Sequence, residues 1–168
     1  MKYAFLGPES TGKTQTALAI AERINGIYVP EMARGYLSNI GLNYTYEDII
    51  EIALLQISEE LNWEEKTTKT LICDTELITI QIWLEYYKYT VPEWLITQIK
   101  EAEYQQYFLF DIDVPWIADG LRANGHDRAE IMALFIEKLD FYKKNYIIIR
   151  GLGEERVENV LHYIARDN

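Results

Sequence analysis

Short apolar segments alternate with longer helical patterns along the chain. Five segments have the length and composition of buried strands, namely residues 3–6, 26–29, 70–73, 106–110 and 146–149. Strands separated by helices favour βαβ units, in which a parallel sheet is covered on both faces. The pattern therefore predicts an α/β fold, a three-layer sandwich with a five-stranded parallel sheet between two layers of helices.

Apolar residues that recur every three or four positions predict the helices. The sequence TYED at residues 45–48 resembles a helix start. The buried face behind it is predicted to consist of Ile50, Leu54, Ile57 and Leu61. Residues 76–89 and 92–103 are predicted to form two more helices. Further helical faces are indicated by Ala17, Ala21 and Ile24, by Ile131, Phe135, Leu139 and Tyr142, and by Val157, Val160, Leu161 and Ile164.

The stretch GPESTGKT at residues 7–14 matches the P-loop pattern G-x-x-x-x-G-K-[ST], with a predicted strand before it and a predicted helix after it. Its glycines let the backbone approach a polyphosphate closely, so that successive N–H groups face the phosphate oxygens. Lys13 can reach the β- and γ-phosphates of ATP, and the Thr14 hydroxyl can join the shell of a bound Mg²⁺. ATP and Mg²⁺ are therefore the expected cofactors. The nucleotide-binding residues predicted from the loop are Gly7, Glu9, Ser10, Thr11, Gly12, Lys13 and Thr14.

A P-loop needs a carboxylate at the end of a nearby strand, which organises Mg²⁺ through its water shell. Asp74 ends the segment TLICD and Asp111 ends YFLFD, and both strands can flank the P-loop strand in a doubly wound sheet. Either aspartate can also be a simple helix cap or turn residue. We favour Asp74 as the catalytic and metal-organising residue, because a helix follows at once and Thr75 stands beside it at the edge where ligands bind. Asp111 stays the alternative.

The stretch VPEMARGYL follows the second predicted strand and offers side chains to an acceptor. Glu31 and Arg34 are three residues apart, on one face of the helix that opens here. The carboxylate can accept ribose hydroxyls or take a proton and the arginine can steady a phosphate, although the two can equally form a surface ion pair. Tyr36 on the same segment and Trp116 further along can present an aromatic face to a ring of the substrate.

Residues 111–126 have neither helical nor strand periodicity and are rich in Asp, Gly and Pro. Loops longer than about 12 to 15 residues are uncommon in compact domains and often form active-site lids. We therefore predict a lid loop here. Arg122 lies inside it and Arg128 just beyond it, and both are candidate catalytic residues because arginines stabilise the charge of a phosphoryl group in transfer. Arg156, after the last strand, can line the adenine end of the site or simply solvate a helix start.

Composition and charge narrow the range of partners. A chain of 168 residues fits one domain, and no apolar run in it is long enough to span a membrane. The net charge of −11 repels nucleic acid, so a small molecule is the expected partner. The N-terminus does not resemble a signal peptide. Cys73 is the single cysteine and is expected to be a buried thiol in a reducing cytoplasm. Nothing in the sequence indicates the oligomeric state.

Four stretches occur in one order, namely GPESTGKT, VPEMARGYL, LICDTE and DIDVPWIADGLR. In this combination the chain resembles the NadR-type ribosylnicotinamide kinase domain over essentially its whole length. The resemblance implies an adenylate-kinase-like P-loop fold and transfer of the γ-phosphate of ATP to the 5′-hydroxyl of nicotinamide riboside, a step of NAD salvage. The residues it implies are Gly12, Lys13 and Thr14 for phosphate, Glu31 and Arg34 for the substrate, Asp74 for the metal, and Trp116, Asp119 and Arg122 for closure over the site.

The predicted lid departs from the family's pattern, because it has DGLR where the family often has threonine before the arginine. Three interpretations therefore stay open. The first is a kinase for nicotinamide riboside, and the second is a kinase for another nucleoside or small metabolite. The third is a regulatory module that binds ATP and hydrolyses it slowly. Release of ADP that depends on an acceptor distinguishes the first two from the third.

Overall fold

All five predicted strands are present, and they form one parallel sheet. The computed structural model describes residues 1–41, 43–116 and 127–166. The strands are β1 (Lys2–Leu6), β2 (Ile27–Val29), β3 (Leu71–Asp74), β4 (Gln106–Phe110) and β5 (Tyr146–Ile149). Their order across the sheet is β2-β3-β1-β4-β5, and neighbouring strands are parallel. The predicted α/β fold with a five-stranded parallel sheet is thereby confirmed.

Helices connect the strands and cover both faces of the sheet. They are α1 (Lys13–Arg23), α2 (Met32–Ile40), α3 (Tyr46–Lys66), α4 (Leu77–Tyr86), α5 (Glu93–Glu101), α6 (Arg128–Phe141) and α7 (Glu154–Ile164). The helices predicted at residues 76–89 and 92–103 are both present and slightly shorter than expected. None of the helices in the described part of the chain has both the length and the apolar character that crossing a bilayer requires.

The side chains of β1 divide between two layers, as the alternation along a strand requires. Tyr3 and Phe5 pack in one apolar cluster with residues of α1 and α7. Ala4 and Leu6 pack in a second cluster with residues of α2, α3, α4, α5 and α6. All four side chains are completely buried. The P-loop therefore starts from a strand that is held on both faces.

Helix α3 buries a face that only partly matches the predicted one, because Ile50 and Ile57 are partly buried against the core and two predicted residues are not. Its start is as expected, because the Thr45 hydroxyl accepts the Asp48 N–H at 3.3 Å and the Asp48 carboxylate accepts the Thr45 N–H at 2.7 Å. Leu54 and Leu61, however, keep 46% and 51% of their surface exposed. The residues buried in their place are Ile49, Ile52, Ala53, Gln56 and Glu60.

The prediction was wrong for Leu54 and Leu61, because the fully buried strip of the helix contains two polar residues, which a search for apolar periodicity passes over. Both have partners in the interior. Gln56 Oε1 accepts the N–H of Met32 at 3.1 Å, and Glu60 accepts hydrogen bonds from Lys2 and Tyr104. Buried polar groups are tolerated when they are hydrogen bonded, so the packing against neighbouring elements decides which strip of this helix is buried.

The sheet order places the P-loop at a topological switch point. β1 lies in the middle, with β3 and β2 on one side and β4 and β5 on the other. The carboxyl ends of parallel strands share one edge of the sheet, and ligands of open α/β sheets bind in the crevice at such a point. This order brings together the P-loop after β1, Asp74 at the end of β3 and Glu31 after β2.

Candidate active site

The P-loop adopts a backbone shape that depends on its glycines. Gly7 has a φ of 133°, and a Cβ at this position would lie 2.7 Å from the carbonyl oxygen of Phe110. Gly12 has a φ of 79°, a left-handed conformation, and is the N-cap residue of α1. α1 therefore begins at Lys13 with its N-terminus at the P-loop, which is the arrangement that binds anions.

Lys13 folds back along the loop that precedes it. Its ammonium donates hydrogen bonds to the carbonyl oxygens of Gly7 at 2.7 Å and Pro8 at 2.9 Å. The Thr11 hydroxyl donates to the same Pro8 carbonyl at 2.9 Å. The residues predicted to bind the nucleotide all line one cavity, namely Gly7, Glu9, Ser10, Thr11, Gly12, Lys13 and Thr14.

Asp74 is joined directly to the P-loop. Its Oδ2 accepts hydrogen bonds from the Thr14 hydroxyl at 2.6 Å and from the Tyr28 hydroxyl at 3.0 Å. The side chain is completely buried, and its Oδ1 has no hydrogen-bond partner among the described residues. Burial, and then the nearby Asp74 carboxylate, raise the pKa of Tyr28, so its hydroxyl stays protonated and donates. No motif in the sequence marks Tyr28 as a neighbour of Asp74.

A carboxylate oxygen without a partner, next to a P-loop hydroxyl, suits a hard divalent cation. Mg²⁺ is usually held through one or two carboxylates, water and the phosphates of its nucleotide, and rarely by a full protein cage. In the part of the chain that the structure describes, no cluster of three or more His, Cys, Asp or Glu residues could form such a cage. Thr14 and Asp74 therefore have the arrangement expected of residues that hold Mg²⁺ together with a bound nucleotide.

Asp111, the alternative metal residue, is engaged in other contacts. Its Oδ2 accepts from Arg150 Nε at 2.8 Å, and its Oδ1 accepts the backbone N–H of Ile112 at 2.7 Å. Both carboxylate oxygens thus already stabilise the turn after β4 and tie it to the end of β5. The geometry favours Asp74 over Asp111 as the residue that organises the metal.

Glu31 and Arg34 line the same cavity as the P-loop. Glu31 is the N-cap residue of α2 and is half-buried, whereas Arg34 is exposed. Burial raises the pKa of Glu31; the Lys13 ammonium opposes this shift and the Asp74 carboxylate adds to it. A carboxylate with a raised pKa is suited to accept a proton near neutral pH. Glu31 is therefore a carboxylate with a raised pKa in the cavity that the P-loop lines.

The cavity that joins these residues has a volume of about 670 Å³, within the range of small-molecule sites. Part of its lining is apolar and aromatic and was not predicted from the sequence. This part consists of Tyr44, Ile82, Trp83, Tyr86, Ile131 and Phe135. The segment before α3, helix α4 and helix α6 thus converge on the cavity opened by the P-loop.

Tyr44 and Trp83 form the centre of the aromatic lining. Their rings meet edge to face with centroids 4.9 Å apart, and Trp83 Nε1–H donates to the Tyr44 hydroxyl at 3.1 Å. The Tyr44 hydroxyl in turn donates to Tyr87 at 2.8 Å, and Tyr86 donates to the Asp127 carboxylate at 2.6 Å. The aromatic lining was not predicted from the sequence, because the run WLEYYKY has ordinary helical spacing and resembles packing residues.

The structure places Tyr36 and Trp116, the aromatic residues predicted to contact the substrate, outside the described lining of the cavity. The Tyr36 hydroxyl donates to Asp48 at 2.8 Å, so this side chain is bound to the start of α3. Trp116 is exposed. Asp119 and Arg122 belong to the part of the predicted lid, residues 117–126, that lies outside the described residues, and their roles stay predictions.

Arg128 and Arg156 are both buried. Arg156 lines the cavity and donates to the carbonyl oxygen of Thr11 and to the Asp113 carboxylate, so it connects the P-loop to the segment after β4. Arg128 begins α6 and donates to the Val114 carbonyl oxygen at 3.0 Å. Burial, and then the charge of Arg156, lower the pKa of Arg128. Both arginines thus support residues 113–114, in the described first part of the predicted lid.

A P-loop at the switch point of a parallel sheet, with a buried carboxylate on its threonine and a cavity beside it, defines a P-loop nucleotide-binding protein. The chain belongs to the AAA domain family, whose sequence pattern it matches over residues 2–156. It is 30% identical to the trifunctional NAD biosynthesis/regulator protein NadR of Escherichia coli (strain K12) over 144 residues, which are 82% of this chain and 35% of that protein. The chain therefore spans about a third of the length of this curated relative.

Solved structures with the same fold include two NadR complexes. The NadR protein in complex with NAD and AMP-PNP superposes with a TM-score of 0.81 at 16% identity, over 98% of this chain and 48% of that chain. The NadR protein in complex with NR gives a TM-score of 0.78 at 16% identity, over 98% and 50% of the two chains. Deoxyadenosine kinase from M. mycoides gives 0.66 at 12% identity, over 99% and 100%. At these identities the likeness establishes the fold, which this chain shares with P-loop kinases.

Proposed function

We propose that the protein transfers the γ-phosphoryl group of ATP to the 5′-hydroxyl of nicotinamide riboside, giving ADP and nicotinamide mononucleotide. The observation that carries this proposal is the single cavity that connects the P-loop and Glu31 with the aromatic lining at Tyr44 and Trp83. The similarity to NadR, a protein named for NAD biosynthesis, supports nicotinamide riboside as the acceptor. The free, buried thiol of Cys73 supports a reducing cytoplasm as its location.

On the donor side, the P-loop amides and Lys13 bind the β- and γ-phosphates of ATP. Thr14 and Asp74 would hold Mg²⁺, which would supply positive charge to neutralise the phosphates. Tyr28 acts through Asp74, because its hydrogen bond to Oδ2 orients the carboxylate while Oδ1 stays available. Positioning and charge stabilisation are most of what catalysis of phosphoryl transfer requires, and these residues supply both.

On the acceptor side, Glu31 orients the 5′-hydroxyl and takes its proton. The bond from the γ-phosphorus to ADP breaks, the bond to the acceptor oxygen forms, and the hydroxyl proton passes to the Glu31 carboxylate. The raised pKa of Glu31 favours this uptake. Arg34, which lines the same cavity, steadies the phosphate of the product. Closure over the reacting groups by Trp116, Asp119 and Arg122 remains part of this proposal, as does stabilisation of the transferred phosphoryl group by Arg122 and Arg128.

Nicotinamide riboside differs from ordinary nucleosides in its cationic pyridinium ring. Aromatic faces attract such a cation, and the cavity offers them at Tyr44, Trp83 and Tyr86. Carboxylates at Glu9 and Glu31 line the same space, and the net charge of −11 favours the approach of a cationic acceptor. The aromatic contact first expected from Tyr36 and Trp116 is thus assigned to Tyr44 and Trp83.

The proposal is tested by measuring ADP release with a panel of acceptors. Nicotinamide riboside is expected to stimulate ADP release strongly, and uridine, cytidine and shikimate much less. Trp83→Ala is expected to raise the KM for nicotinamide riboside more than the KM for ATP. Trp94→Ala is the matched control, because Trp94 lies on α5, is partly exposed and does not line the cavity.

Two results would replace the proposed acceptor. Equal stimulation by ordinary nucleosides would indicate a kinase for another nucleoside. ADP release that no acceptor changes would indicate a nucleotide-binding module that hydrolyses ATP. Neither result affects the assignment of the P-loop, because Lys13, Thr14 and Asp74 serve the nucleotide in all three cases.

A further inference from the structure

Thr75 combines two unfavourable features at the carboxyl end of β3. Its φ is 90°, in the left-handed region that β-branched residues rarely adopt. Its side chain is 3% exposed, and the hydroxyl has no hydrogen-bond partner among the described residues. A buried hydroxyl without a partner destabilises a fold. Strained residues of this kind persist where the surrounding structure holds them in place, and they cluster at functional sites.

The surroundings of Thr75 hold it firmly. Its backbone N–H donates to the Phe5 carbonyl oxygen at 3.0 Å, which fixes the turn after β3 to the middle strand of the sheet. The residue before it, Asp74, is bound to the P-loop through Thr14. The backbone on the N-terminal side of Thr75 is therefore held by two contacts, and its unpartnered hydroxyl belongs to a residue that lines the cavity.

The position of Thr75 lies between the two halves of the proposed reaction. β3 is the strand between β1, which carries the P-loop, and β2, which leads to Glu31. Lys13, Glu31 and Thr75 all line the same cavity. A hydroxyl at the end of β3 thus stands between the residues that hold the donor phosphates and the residue assigned to the acceptor.

We infer that Thr75 is a further catalytic residue, whose hydroxyl donates a hydrogen bond to an oxygen of the phosphoryl group in transfer. The inference rests on the proposed phosphoryl transfer and adds a donor to it that no motif marks. The bound phosphoryl group supplies the partner that the hydroxyl lacks in the protein alone. A donor fixed in advance needs no rearrangement when charge develops on the phosphoryl oxygens, which is how such groups accelerate a reaction.

The test compares the effects of three substitutions on turnover and on stability. Thr75→Val keeps the shape and the branching of the side chain but removes the hydroxyl, and Thr75→Ser keeps the hydroxyl. Tyr107→Phe is the matched control, because the Tyr107 hydroxyl is also buried without a partner among the described residues, yet Tyr107 does not line the cavity at the P-loop. Both Thr75→Val and Tyr107→Phe remove an unsatisfied buried hydroxyl and are expected to leave Tm unchanged or higher.

Turnover is expected to separate the variants. Loss of one preorganised donor commonly lowers kcat by about 10²-fold or more, so Thr75→Val should lower kcat by about this factor with little change in either KM. Thr75→Ser should keep most of kcat, and Tyr107→Phe should keep all of it. If Thr75 had only a structural role, a fall in activity would be accompanied by a fall in Tm. A fall in activity at unchanged or raised Tm therefore indicates a catalytic role.

Three results would overturn the inference: unchanged kcat in Thr75→Val, a loss of kcat in Thr75→Ser as large as in Thr75→Val, or a loss of kcat matched by a fall in Tm. The assay of the unmodified protein tests the proposed function separately. If nicotinamide riboside does not stimulate ADP release, that proposal fails. The Thr75 variants are then compared in their rate of γ-phosphoryl transfer to the acceptor that the panel identifies, or to water. The same loss in Thr75→Val supports the inference, and its absence overturns it.

Discussion

The amino end of the central sheet pairs its buried charges within the protein, whereas, among the described residues, the carboxyl end leaves polar atoms without partners beside the P-loop. At the amino end, the Glu60 carboxylate accepts from Lys2 at 3.3 Å and from Tyr104 at 2.7 Å, and Lys2 also reaches Glu64 at 2.8 Å. At the carboxyl end, Asp74 Oδ1 and the Thr75 hydroxyl are buried and have no partner among the described residues.

This difference separates groups that stabilise the fold from groups that are arranged for a ligand. Buried polar atoms in native proteins are nearly always hydrogen bonded, so unsatisfied ones call for a specific explanation. At the amino end each charge finds its partner within the protein. At the carboxyl end the protein leaves polar atoms unsatisfied beside a P-loop, where phosphates and Mg²⁺ would satisfy them. Substitutions at the carboxyl end should therefore change turnover, and substitutions at the amino end should change the stability of the fold.

The largest effect is expected from Lys13→Ala. The substitution removes the ammonium proposed to bind the β- and γ-phosphates, and the loss of one such preorganised donor commonly lowers the rate by about 10² to 10³. ADP release measures this loss, and circular dichroism checks that the fold is kept. Lys69→Ala is the control, since Lys69 is an exposed lysine that does not line the cavity and whose ammonium donates to Asn25 at 2.8 Å. Near-normal turnover in folded Lys13→Ala would remove the P-loop from the mechanism.

The second effect separates the two candidate metal residues. Asp74→Asn removes the charge next to Thr14 and is expected to lower turnover by at least about tenfold and to raise the Mg²⁺ concentration needed for half-maximal rate. Asp111→Asn should leave the Mg²⁺ dependence unchanged, because Asp111 pairs with Arg150. Titration of ADP release against Mg²⁺ for both variants decides between them. A shift in the Mg²⁺ dependence of Asp111→Asn alone would reverse the assignment.

The third effect belongs to the amino end of the sheet. Lys2→Met keeps the apolar stem but leaves the buried Glu60 without its cation, and an unsatisfied buried group destabilises a fold by about 1 to 3 kcal/mol. Urea unfolding measures this change, and turnover at a temperature where the variant is folded should be normal. Lys66→Met, at the exposed end of α3, is the control. Loss of activity without loss of stability in Lys2→Met would remove the contrast between the two ends.

A fourth effect concerns Glu76, a fully buried carboxyl that caps α4 by accepting the Ile78 N–H at 2.9 Å. Burial raises its pKa to about 8. Between its ordinary pKa and about 8, the folded protein keeps this proton and the unfolded chain has lost it. The contribution of Glu76 to the free energy of unfolding therefore falls as pH rises through this window, by at most about 1.4 kcal/mol per pH unit.

Glu76→Gln is expected to flatten this pH dependence, because an amide can accept the Ile78 N–H but does not ionise. Urea unfolding at pH 5, 6.5 and 8 compares the variant with the unmodified protein. An equally steep fall in both would show that other groups cause the pH dependence, and Glu60, whose pKa burial also raises, would be the next to test.

Local motifs were predicted from the sequence far better than residues that meet only in the folded chain. The P-loop, the strands and Asp74 belong to short contiguous patterns, and the structure confirms the strands and places the P-loop and Asp74 at the same edge of the sheet. The aromatic lining was missed, because Tyr44 and Trp83 come from separate elements and no spacing links them. Tyr28 was missed for the same reason. Thr75 was noticed only as a neighbour of Asp74, since a backbone angle and an unsatisfied hydroxyl leave no trace in the sequence.

The smallest effect is expected on the outer strip of α3, which belongs to neither end of the sheet. The helical period alone predicts Leu54 and Leu61 as core residues, yet about half of each is exposed. Surface substitutions usually change the free energy of unfolding by no more than about 0.5 kcal/mol, so Leu54→Gln should be nearly neutral in urea unfolding. Ile52→Ala, two residues away in the buried strip, should lose about 2 to 5 kcal/mol. A large loss of stability in Leu54→Gln would mean that another molecule covers this strip in solution. If Leu54→Gln also had a lower apparent molecular mass than the unmodified protein, that molecule would be a second copy of the chain.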